Sequence, residues 1–510
     1  MTEQTELTAA RVAMGSIFLT LQNTASTLIA VSGFAFMARI ITQEEMGVIA
    51  GLTLLTSLAT LISDFGLNTS ILKHVSELRG REENISDIVV SATNFRTLTC
   101  LVIASALFII APNLSETLFK TNLYTYTIRL LSIDVVLLSL GPLFNNVLLG
   151  AGKLKKIAVF GTVSVMVRWF FITAFLLVGK GLDGILLGWI AGDAILMLML
   201  AASITKFVSF KKQAIRSTRQ QILPLLKFAS PLYLSSFVAF LYGWYDKALI
   251  LAYLSLSDLG IYNTVYTAFS VLITIASALG AALLPYYGMA YGRKDHQAIS
   301  LGIKRASKYT MLTIFPLTLG LLATSKPTLS IFAGPQYETG WTTLAVLSLF
   351  GLVYGITPVL SNLLLIYGKT KTILLLSFIP VVSSLALLPL IWILGLFGLA
   401  IMRGTSITLS LIMTVYFINK TVKIQIDKST FKRALAASAM MAVTILVLQQ
   451  IFPGSHLLPS YILVGAATYI ALIRTLKVLN GEDIQLLRQV IGKRAAKYAG
   501  KILSVPSEAS

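Results

Sequence analysis

The sequence predicts an all-α polytopic membrane protein with about 14 transmembrane helices. Only 12% of its 510 residues are Asp, Glu, Lys or Arg, and 56% are hydrophobic. A soluble globular domain carries about 25% charged residues, so this chain has too little polar surface to coat a water-soluble particle. Apolar runs of about 20 residues also recur along the chain, and each is long enough to cross a bilayer as a helix.

These apolar runs define the expected spans. The split of the long apolar region 372–418 into two helices is placed at Gly395 and Gly398. In order, the predicted spans are residues 17–41, 47–72, 88–111, 124–150, 157–179, 183–204, 229–253, 259–287, 309–332, 341–367, 372–394, 396–418, 433–452 and 457–476.

The basic residues predict the orientation of the spans. Most of the 41 Lys and Arg residues fall in alternate loops, of which 206–227, 293–308 and 420–433 are the richest. Because positively charged loops stay on the cytoplasmic side, both termini are predicted to be cytoplasmic in a plasma-membrane protein. The N-terminal segment contains Glu3 and Glu6 and no basic stretch, so the first apolar run is expected to remain as an uncleaved span.

An internal repeat predicts two pseudo-symmetric lobes of six helices. Equivalent residues recur at a nearly constant spacing in the two halves, and an even number of spans per repeat makes the repeat parallel. The matching pairs are Gly47 with Gly260, Gly80 with Gly292, Pro142 with Pro358, and Gly181-x2-Gly184 with Gly395-x2-Gly398.

The predicted organisation adds an extra helix pair and a basic tail to these lobes. The tail alternates apolar and basic residues at helical spacing, which is typical of an amphipathic helix on an anionic lipid surface. The expected segments are the N-terminal lobe 11–205, a cytoplasmic linker 206–228, the C-terminal lobe 229–420, helices 13 and 14 at 433–476, and the cytoplasmic tail 477–510.

Four short motifs within residues 11–420 carry a family resemblance. They are Arg39–Gly47 (RIITQEEMG), Ser63–Asn68 (SDFGLN), Tyr245–Lys247 (YDK) and Leu259–Tyr262 (LGIY). The chain resembles the polysaccharide (lipid-linked oligosaccharide) flippases of the multidrug/oligosaccharidyl-lipid/polysaccharide exporter superfamily. The resemblance implies a secondary transporter without catalytic activity, which moves a polyprenyl- or dolichyl-linked glycan to the outer leaflet by alternating access. It also implies other polysaccharide-assembly proteins as partners.

Two alternatives stay open at this point. A multidrug and toxin exporter of the same superfamily usually has twelve spans, so 14 spans and the Glu44-Glu45-x-Gly47 motif favour the flippase. A membrane glycosyltransferase or polymerase is disfavoured by short predicted external loops. The sequence has a single cysteine, three dispersed histidines and no nucleotide-binding fingerprint. We therefore expect no metal, no cofactor and no nucleic-acid partner. Without a nucleotide site, we expect transport to be coupled to a gradient of H⁺ or Na⁺.

Ionisable residues inside the spans are the candidate site residues, since each costs about 2.5–3.5 kcal/mol to insert at a helix centre. By counting from the ends of the spans, Asp64 and Arg96 are expected in the cytoplasmic third of the membrane. Asp134, Arg168 and Asp193 are expected near the midplane, and Asp246, Lys247 and Arg403 in the outer third. A purely structural interpretation pairs Asp64 with Arg96 and Asp134 with Arg168.

The functional interpretation follows from the chemistry of the cargo. A lipid-linked glycan carries a phosphate or pyrophosphate, which needs cations in order to cross hydrocarbon. The predicted phosphate contacts are Arg39, Arg168, Lys247 and Arg403, and the predicted sugar contacts are Asn23, Tyr245 and Tyr266. The three midplane charges sum to −1, which leaves a carboxylate able to bind a proton or cation. The predicted ion-coupling residues are Asp134, Asp193, Asp246 and Asp64.

Overall fold

The computed structural model describes residues 2–210, 215–420, 422, 427–479 and 483, which are almost entirely helical. The first half contains α1 Thr2–Ile40, α2 Gln43–Asp64, α3 Leu67–Gly80, α4 Ser86–Phe119, α5 Thr125–Gly150, α6 Leu154–Leu177, α7 Gly181–Ile204 and α8 Ile215–Tyr253. The second half contains α9 Leu256–Gly292, α10 His296–Ala323, α11 Ser325–Ala333, α12 Trp341–Ile366, α13 Thr370–Ala386, α14 Pro389–Asn419, α15 Lys428–Ile451 and α16 Leu458–Thr475.

The predicted membrane class is confirmed. Within the described residues, 11 helices are long and apolar enough to cross a bilayer, or 12 if the bent α8 is one span. Helix α13 is apolar but has only 17 residues. The number of 14 spans therefore stays a prediction, while the chain is a multi-pass α-helical membrane protein.

Two predicted spans are interrupted. The run 47–72 is divided into α2 and α3 by Phe65 and Gly66, whose φ angles of 47° and 75° lie in the left-handed region. The run 309–332 is divided at Thr324, between α10 and α11. Hydropathy averaged over a whole span stays high across both positions, so the average does not register either break. The second break falls in the polar run Thr324–Lys326.

The apolar region 372–418 is divided differently from the prediction. Gly395 adopts φ 54° and ψ −132°, which kinks α14 at the residue where the split was placed. The helix boundary itself lies earlier, at the turn Leu387–Leu388, immediately before Pro389. Pro389 is placed at the first position of α14, where its missing N–H leaves no hydrogen bond unmade.

The chain forms two compact units that divide at Gly260 and Ile261. In the first unit, α8 packs on α2, α3 and α4. Because α8 begins at Ile215, part of the segment 206–228 that was predicted as a linker is helical. The predicted tail 477–510 lies outside the described residues, except for residues 477–479 and Asp483.

Asp483 is anchored in the second unit by α10. Its carboxylate accepts hydrogen bonds from Lys308 Nζ at 2.6 Å and from Tyr309 Oη at 2.7 Å. Arg433 on α15 donates to the backbone carbonyls of Leu476 and Lys477. Arg433 therefore holds the residues that directly follow α16, and α10 holds Asp483 further along the chain.

The first turns of α2 and α9 meet within the first unit at two glycines. A Cβ added to Gly47 would lie 1.9 Å from the carbonyl oxygen of Leu256, and a Cβ added to Gly260 would lie 1.9 Å from that of Gln43. Ser257 also donates to the side-chain oxygen of Gln43 at 2.7 Å. Small residues allow such close approach of helix backbones, so the two repeat-equivalent glycines pack directly on each other.

Asp427 caps the N-terminus of α15 outside the membrane-spanning segments. The backbone N–H of Thr430 donates to the Asp427 carboxylate at 3.1 Å, and this bond, with further bonds from Thr430 and Ser429, holds the pKa of Asp427 below its usual value. The cap therefore stabilises the fold above the unfolded-state pKa of Asp427 and is lost as the pH falls through the depressed folded-state pKa.

Asp427→Ala is expected to lower the free energy of unfolding by about 1 kcal/mol at neutral pH. Thermal unfolding in detergent as a function of pH measures this loss. The difference between D427A and the parent protein should vanish at a pH below the folded-state pKa. A difference that stays constant down to that pH would contradict the capping role.

Candidate functional site

A charged cluster lies within the first unit, where α5, α6 and α7 meet. Arg168 on α6 forms an ion pair with Asp193 on α7. Gly192 permits this pairing, since a Cβ there would lie 2.6 Å from the Cβ of Arg168 and 3.1 Å from the carbonyl oxygen of Ser164. Ser164 in turn donates to the carbonyl of Gly192 at 2.9 Å. The glycine therefore brings α6 and α7 close enough for the guanidinium to reach Asp193.

Asp134 on α5 completes this cluster, which we call the midplane triad (Asp134, Arg168 and Asp193). The Asp134 side chain is fully buried, and it interacts electrostatically with both Asp193 and Arg168. Arg168 is therefore paired with Asp193, rather than with Asp134 as the structural interpretation expected. The cluster thus contains two carboxylates and one guanidinium, and its formal charge is −1.

Asp64 and Arg96 form the ion pair that the structural interpretation predicted. Arg96 Nη1 lies 3.2 Å from Asp64 Oδ1, and the Arg96 side chain is 1% exposed. Arg96 Nε also donates to the carbonyl of Ser139 at 3.0 Å. Asp64 Oδ1 accepts the backbone N–H of Asn68 at 3.3 Å, in the first turn of α3. This pair is balanced in charge and caps the helix that follows the break.

The candidates on α8 are neighbours along a single helix. Lys247 Nζ lies 4.5 Å from the centre of the Trp244 ring, a cation–π contact. Asp246 is buried, and its Oδ1 accepts the backbone N–H of Lys247 at 2.9 Å. The Tyr245 ring stacks on Tyr242, with ring centres 6.3 Å apart. These residues place an acid, a cation and aromatic rings on adjacent faces of α8.

Arg403 and Tyr266 form a cluster in the second unit. Arg403 on α14 is buried, donates through Nη2 to the Tyr266 hydroxyl at 2.9 Å, and lies over that ring with its guanidinium carbon 4.6 Å from the ring centre. Tyr266 also stacks on Tyr262. The aromatic ring of Tyr266 therefore stabilises the buried Arg403 guanidinium, since cation–π contacts are stronger in desolvated places.

Two further candidates lie along α1. Arg39 is exposed in the last turn of this helix, and Asn23 is exposed near its middle, where its carbonyl accepts the hydroxyl of Thr27 at 2.8 Å. No described contact joins either residue to the midplane triad.

The predicted site residues thus fall into separate groups, and some features were missed. The structure brings together Asp134 with Arg168 and Asp193, Asp64 with Arg96, and Arg403 with Tyr266. Sequence reasoning missed the pairing of Arg168 with Asp193 and the helix break that Asp64 caps. The residue Gly66 within the SDFG motif was a usable signal for that break, because glycine adopts the left-handed conformation of a turn without steric cost.

Tyr266→Phe is expected to lower the free energy of unfolding by about 1.5–3 kcal/mol, because it removes the acceptor of a hydrogen bond from a buried charged group. Tyr416→Phe is the matched control, since Tyr416 is 53% exposed on the same helix as Arg403. Thermal unfolding of both variants in detergent tests the difference. Equal stability of the two variants would show that Arg403 does not depend on the Tyr266 hydroxyl.

The fold defines a class, the multi-pass α-helical membrane proteins, here with ion pairs between neighbouring helices. The structure is similar to the lipid II flippase MurJ in an inward closed conformation, with a TM-score of 0.75 and 16% identity over 89% of this chain and 98% of MurJ. It is also similar to an inward-facing MATE family multidrug resistance transporter of the MOP superfamily, with a TM-score of 0.62 and 14% identity over 77% of this chain and 93% of that one. At these identities the likeness establishes the fold.

Sequence comparison then identifies the family. The family described as Polysaccharide biosynthesis protein matches residues 36–342, so the chain belongs to this family. The probable low-salt glycan biosynthesis flippase Agl15 of Haloferax volcanii is 22% identical over 414 residues, which cover 80% of this chain and 84% of that protein. The succinoglycan biosynthesis transport protein ExoT of Rhizobium meliloti is 23% identical over 316 residues, covering 61% and 60%. The family resemblance read from the motifs is therefore confirmed.

Proposed function

We propose that this protein is a flippase that moves a lipid-linked oligosaccharide or polysaccharide precursor from the cytoplasmic to the outer leaflet. The observation that carries this proposal is the likeness, over four fifths of the chain, to a relative named as a glycan biosynthesis flippase. The family match and the transporter fold support the same class of function.

The phosphate of the cargo requires cations at membrane depth, and the chain supplies them. The Arg168 side chain is 30% exposed although it is ion-paired with Asp193, which supports its contact with a second anion. Lys247 and Arg403 each lie over an aromatic ring, which stabilises a cation without neutralising its charge. Arg39 lies at the end of α1, where a headgroup would enter or leave. The aromatic and amide groups of Tyr245, Tyr266 and Asn23 are suited to sugar hydroxyls.

The midplane triad is the proposed coupling site for H⁺ or Na⁺. Its formal charge of −1 attracts one cation, and Asp134 is fully buried next to a second carboxylate, that of Asp193. Binding of a proton or of Na⁺ would neutralise the cluster before it moves in the membrane field. Asp246 is a second, weaker candidate on α8, whereas Asp64 is committed to Arg96.

The expected cellular setting follows from the same reasoning. The basic loops predict a plasma-membrane protein with both termini in the cytoplasm. A lipid-linked glycan is the expected cargo, with anionic lipids at the basic tail and other polysaccharide-assembly proteins as further partners. Accessibility of single cysteines introduced in loops 206–210 and 177–181 to an impermeant thiol reagent measures this orientation.

Reconstituted vesicles test the proposed function directly. A fluorescent polyprenyl-diphosphate-linked oligosaccharide is placed in both leaflets, and a membrane-impermeant quencher reports the fraction that becomes accessible with time. We expect flipping to require the protein and to depend on an imposed H⁺ or Na⁺ gradient. Lys247→Ala and Lys371→Ala form a matched pair, because Lys371 lies at the start of α13, outside the proposed contacts.

Three outcomes of this experiment differ in meaning. Flipping that is lost in K247A and retained in K371A supports the proposed phosphate contact. Flipping that needs the protein but survives substitution of each of Arg168, Lys247 and Arg403 contradicts the phosphate contacts and leaves the function standing. Vesicles that expel cationic drugs but flip no glycan would instead identify the multidrug exporter.

A further inference from the structure

Two irregularities of the first unit lie next to each other: the break between α2 and α3, and a bend in α8. Helix α2 ends at Asp64, and Phe65 and Gly66 turn the chain through two left-handed residues before α3 begins at Leu67. Helix α8 bends by 50° between its segments 221–230 and 233–253. We call the first segment the lower arm of α8 and the second its upper arm.

The break and the bend are in direct contact. A Cβ added to Gly66 would lie 2.9 Å from both the Cβ and the carbonyl oxygen of Ala229, at the end of the lower arm. On the other side of the bend, the Phe65 ring stacks on Tyr233 with ring centres 5.9 Å apart. Two consecutive residues of the break therefore touch the two arms of α8.

Helix α3 holds the lower arm along its length. Ser70 is fully buried, and its hydroxyl donates to the carbonyl of Leu225 at 3.0 Å. One turn further on, Lys73 Nζ lies 4.0 Å from the centre of the Phe228 ring, against which His74 also packs. A lower arm that moved relative to α3 would have to break the buried hydrogen bond and leave its acceptor or donor unsatisfied.

Asp64 fixes the position of the break. Its Oδ1 accepts the N–H of Asn68 and pairs with Arg96, which is itself bonded to the carbonyl of Ser139 on α5. A helix that begins inside the membrane must satisfy its first N–H groups internally. The carboxylate meets part of that need and also ties the break to α4 and α5.

From these contacts we propose that the α2–α3 break and the α8 bend form one paired hinge, in which Asp64 is the positioning residue. In this arrangement α8 changes its bend only when α3 shifts with it, because Gly66 and Ser70 contact the lower arm and Phe65 contacts the upper arm. The inference rests on the proposed function in one respect, which is that a transport cycle would drive the hinge. The hinge itself is a property of the first unit.

Distance measurement between two spin labels tests the hinge without any cargo. Leu223 on the lower arm and Leu241 on the upper arm are both exposed and would carry the labels, in a background with Cys100→Ser. The protein is reconstituted at full length in lipid nanodiscs. The unmodified hinge is expected to give one predominant distance, which corresponds to the bent helix.

Ser70→Ala is expected to raise the ratio of the straightened to the bent population about fivefold, the change that one hydrogen bond is worth. Asp64→Asn should shift the same ratio in the same direction, because it removes the charge that pairs with Arg96. Ser76→Ala is the matched control on the same helix, since Ser76 is exposed and donates only to Leu72 in its own helix. It should leave the distances unchanged.

Each outcome of the distance measurement decides the inference. A shift in S70A and D64N but not in S76A, in samples that retain cooperative thermal unfolding, supports the paired hinge. Unchanged distances in both S70A and D64N overturn it, whether or not the protein flips glycans.

If S70A or D64N fails to fold, Phe65→Leu removes the ring stacking on Tyr233 at nearly constant volume, and an unchanged distance in F65L likewise overturns the hinge. Failure of the glycan assay with an intact hinge response would instead remove only the proposed function.

Discussion

Gly260→Ala should give one of the two largest effects of any single substitution in this protein. The added Cβ would lie 1.9 Å from the carbonyl oxygen of Gln43 and 3.0 Å from the backbone nitrogen of Gly47. Backbone atoms cannot rotate away as a side chain can, so the first turns of α2 and α9 must separate. Overpacking of this kind costs about 1–3 kcal/mol, occasionally more, so we expect the free energy of unfolding to fall by about 3 kcal/mol. We also expect glycan flipping to fall, because the first turns of the two helices lose their spacing.

Gly292→Ala provides the matched control for this substitution. Gly292 ends the same helix, α9, and no atom lies within 4 Å of the position that its Cβ would occupy. Thermal unfolding and glycan flipping of both variants should be compared in the same lipid. If G260A and G292A were equally stable and equally active, the close contact between the first turns of α2 and α9 would not be important to the protein.

Arg168→Ala should give the second large effect. It would leave Asp134 and Asp193 next to each other, both buried and without their only described cation. Breaking a buried ion pair by removing one partner costs about 3–5 kcal/mol, because the remaining charge is uncompensated. The free energy of unfolding should fall by that amount, and flipping should be lost together with the phosphate contact proposed for Arg168.

Two companion variants separate stability from coupling. Arg168→Ala combined with Asp193→Asn should recover much of the lost stability, since the second change removes one of the two unpaired carboxylates. Asp134→Asn alone keeps the Arg168–Asp193 ion pair, so the protein should fold, while flipping should lose its dependence on an H⁺ or Na⁺ gradient. A D134N protein whose flipping still follows the gradient would rule out Asp134 as a coupling residue.

Much of the fold could be predicted from the sequence because the membrane constrains it so strongly. The low charge content and the recurring apolar runs indicate transmembrane helices, and the positions of single residues within those helices also agree with the predicted repeat. Pro142 and Pro358 lie at the same distance from the first residue of two helices that each have 26 residues. Gly47 and Gly260 likewise occupy the same position in α2 and α9.

The details of the candidate site were less accessible. Counting residues from the end of a span gives the depth of a charge, so Asp134, Arg168 and Asp193 could be assigned to one level. It does not give the direction in which a side chain points around its helix, which depends on the neighbours that the helix packs against. For that reason the pairing of Arg168 with Asp193 needed the structure, in which Gly192 brings α6 against α7.

Composition and spacing along the chain determined the class of the protein and the identity of its buried charges and predicted its repeat, while the resemblance of four short motifs indicated its family. The tertiary structure alone decided the break at Phe65 and Gly66, the contact of Gly47 with Gly260 and the partner of each buried charge. Hydropathy measures how readily a residue leaves water, and it contains no information on backbone dihedral angles or on the distance between helices. Both of those are set only when α2, α8 and their neighbours pack together.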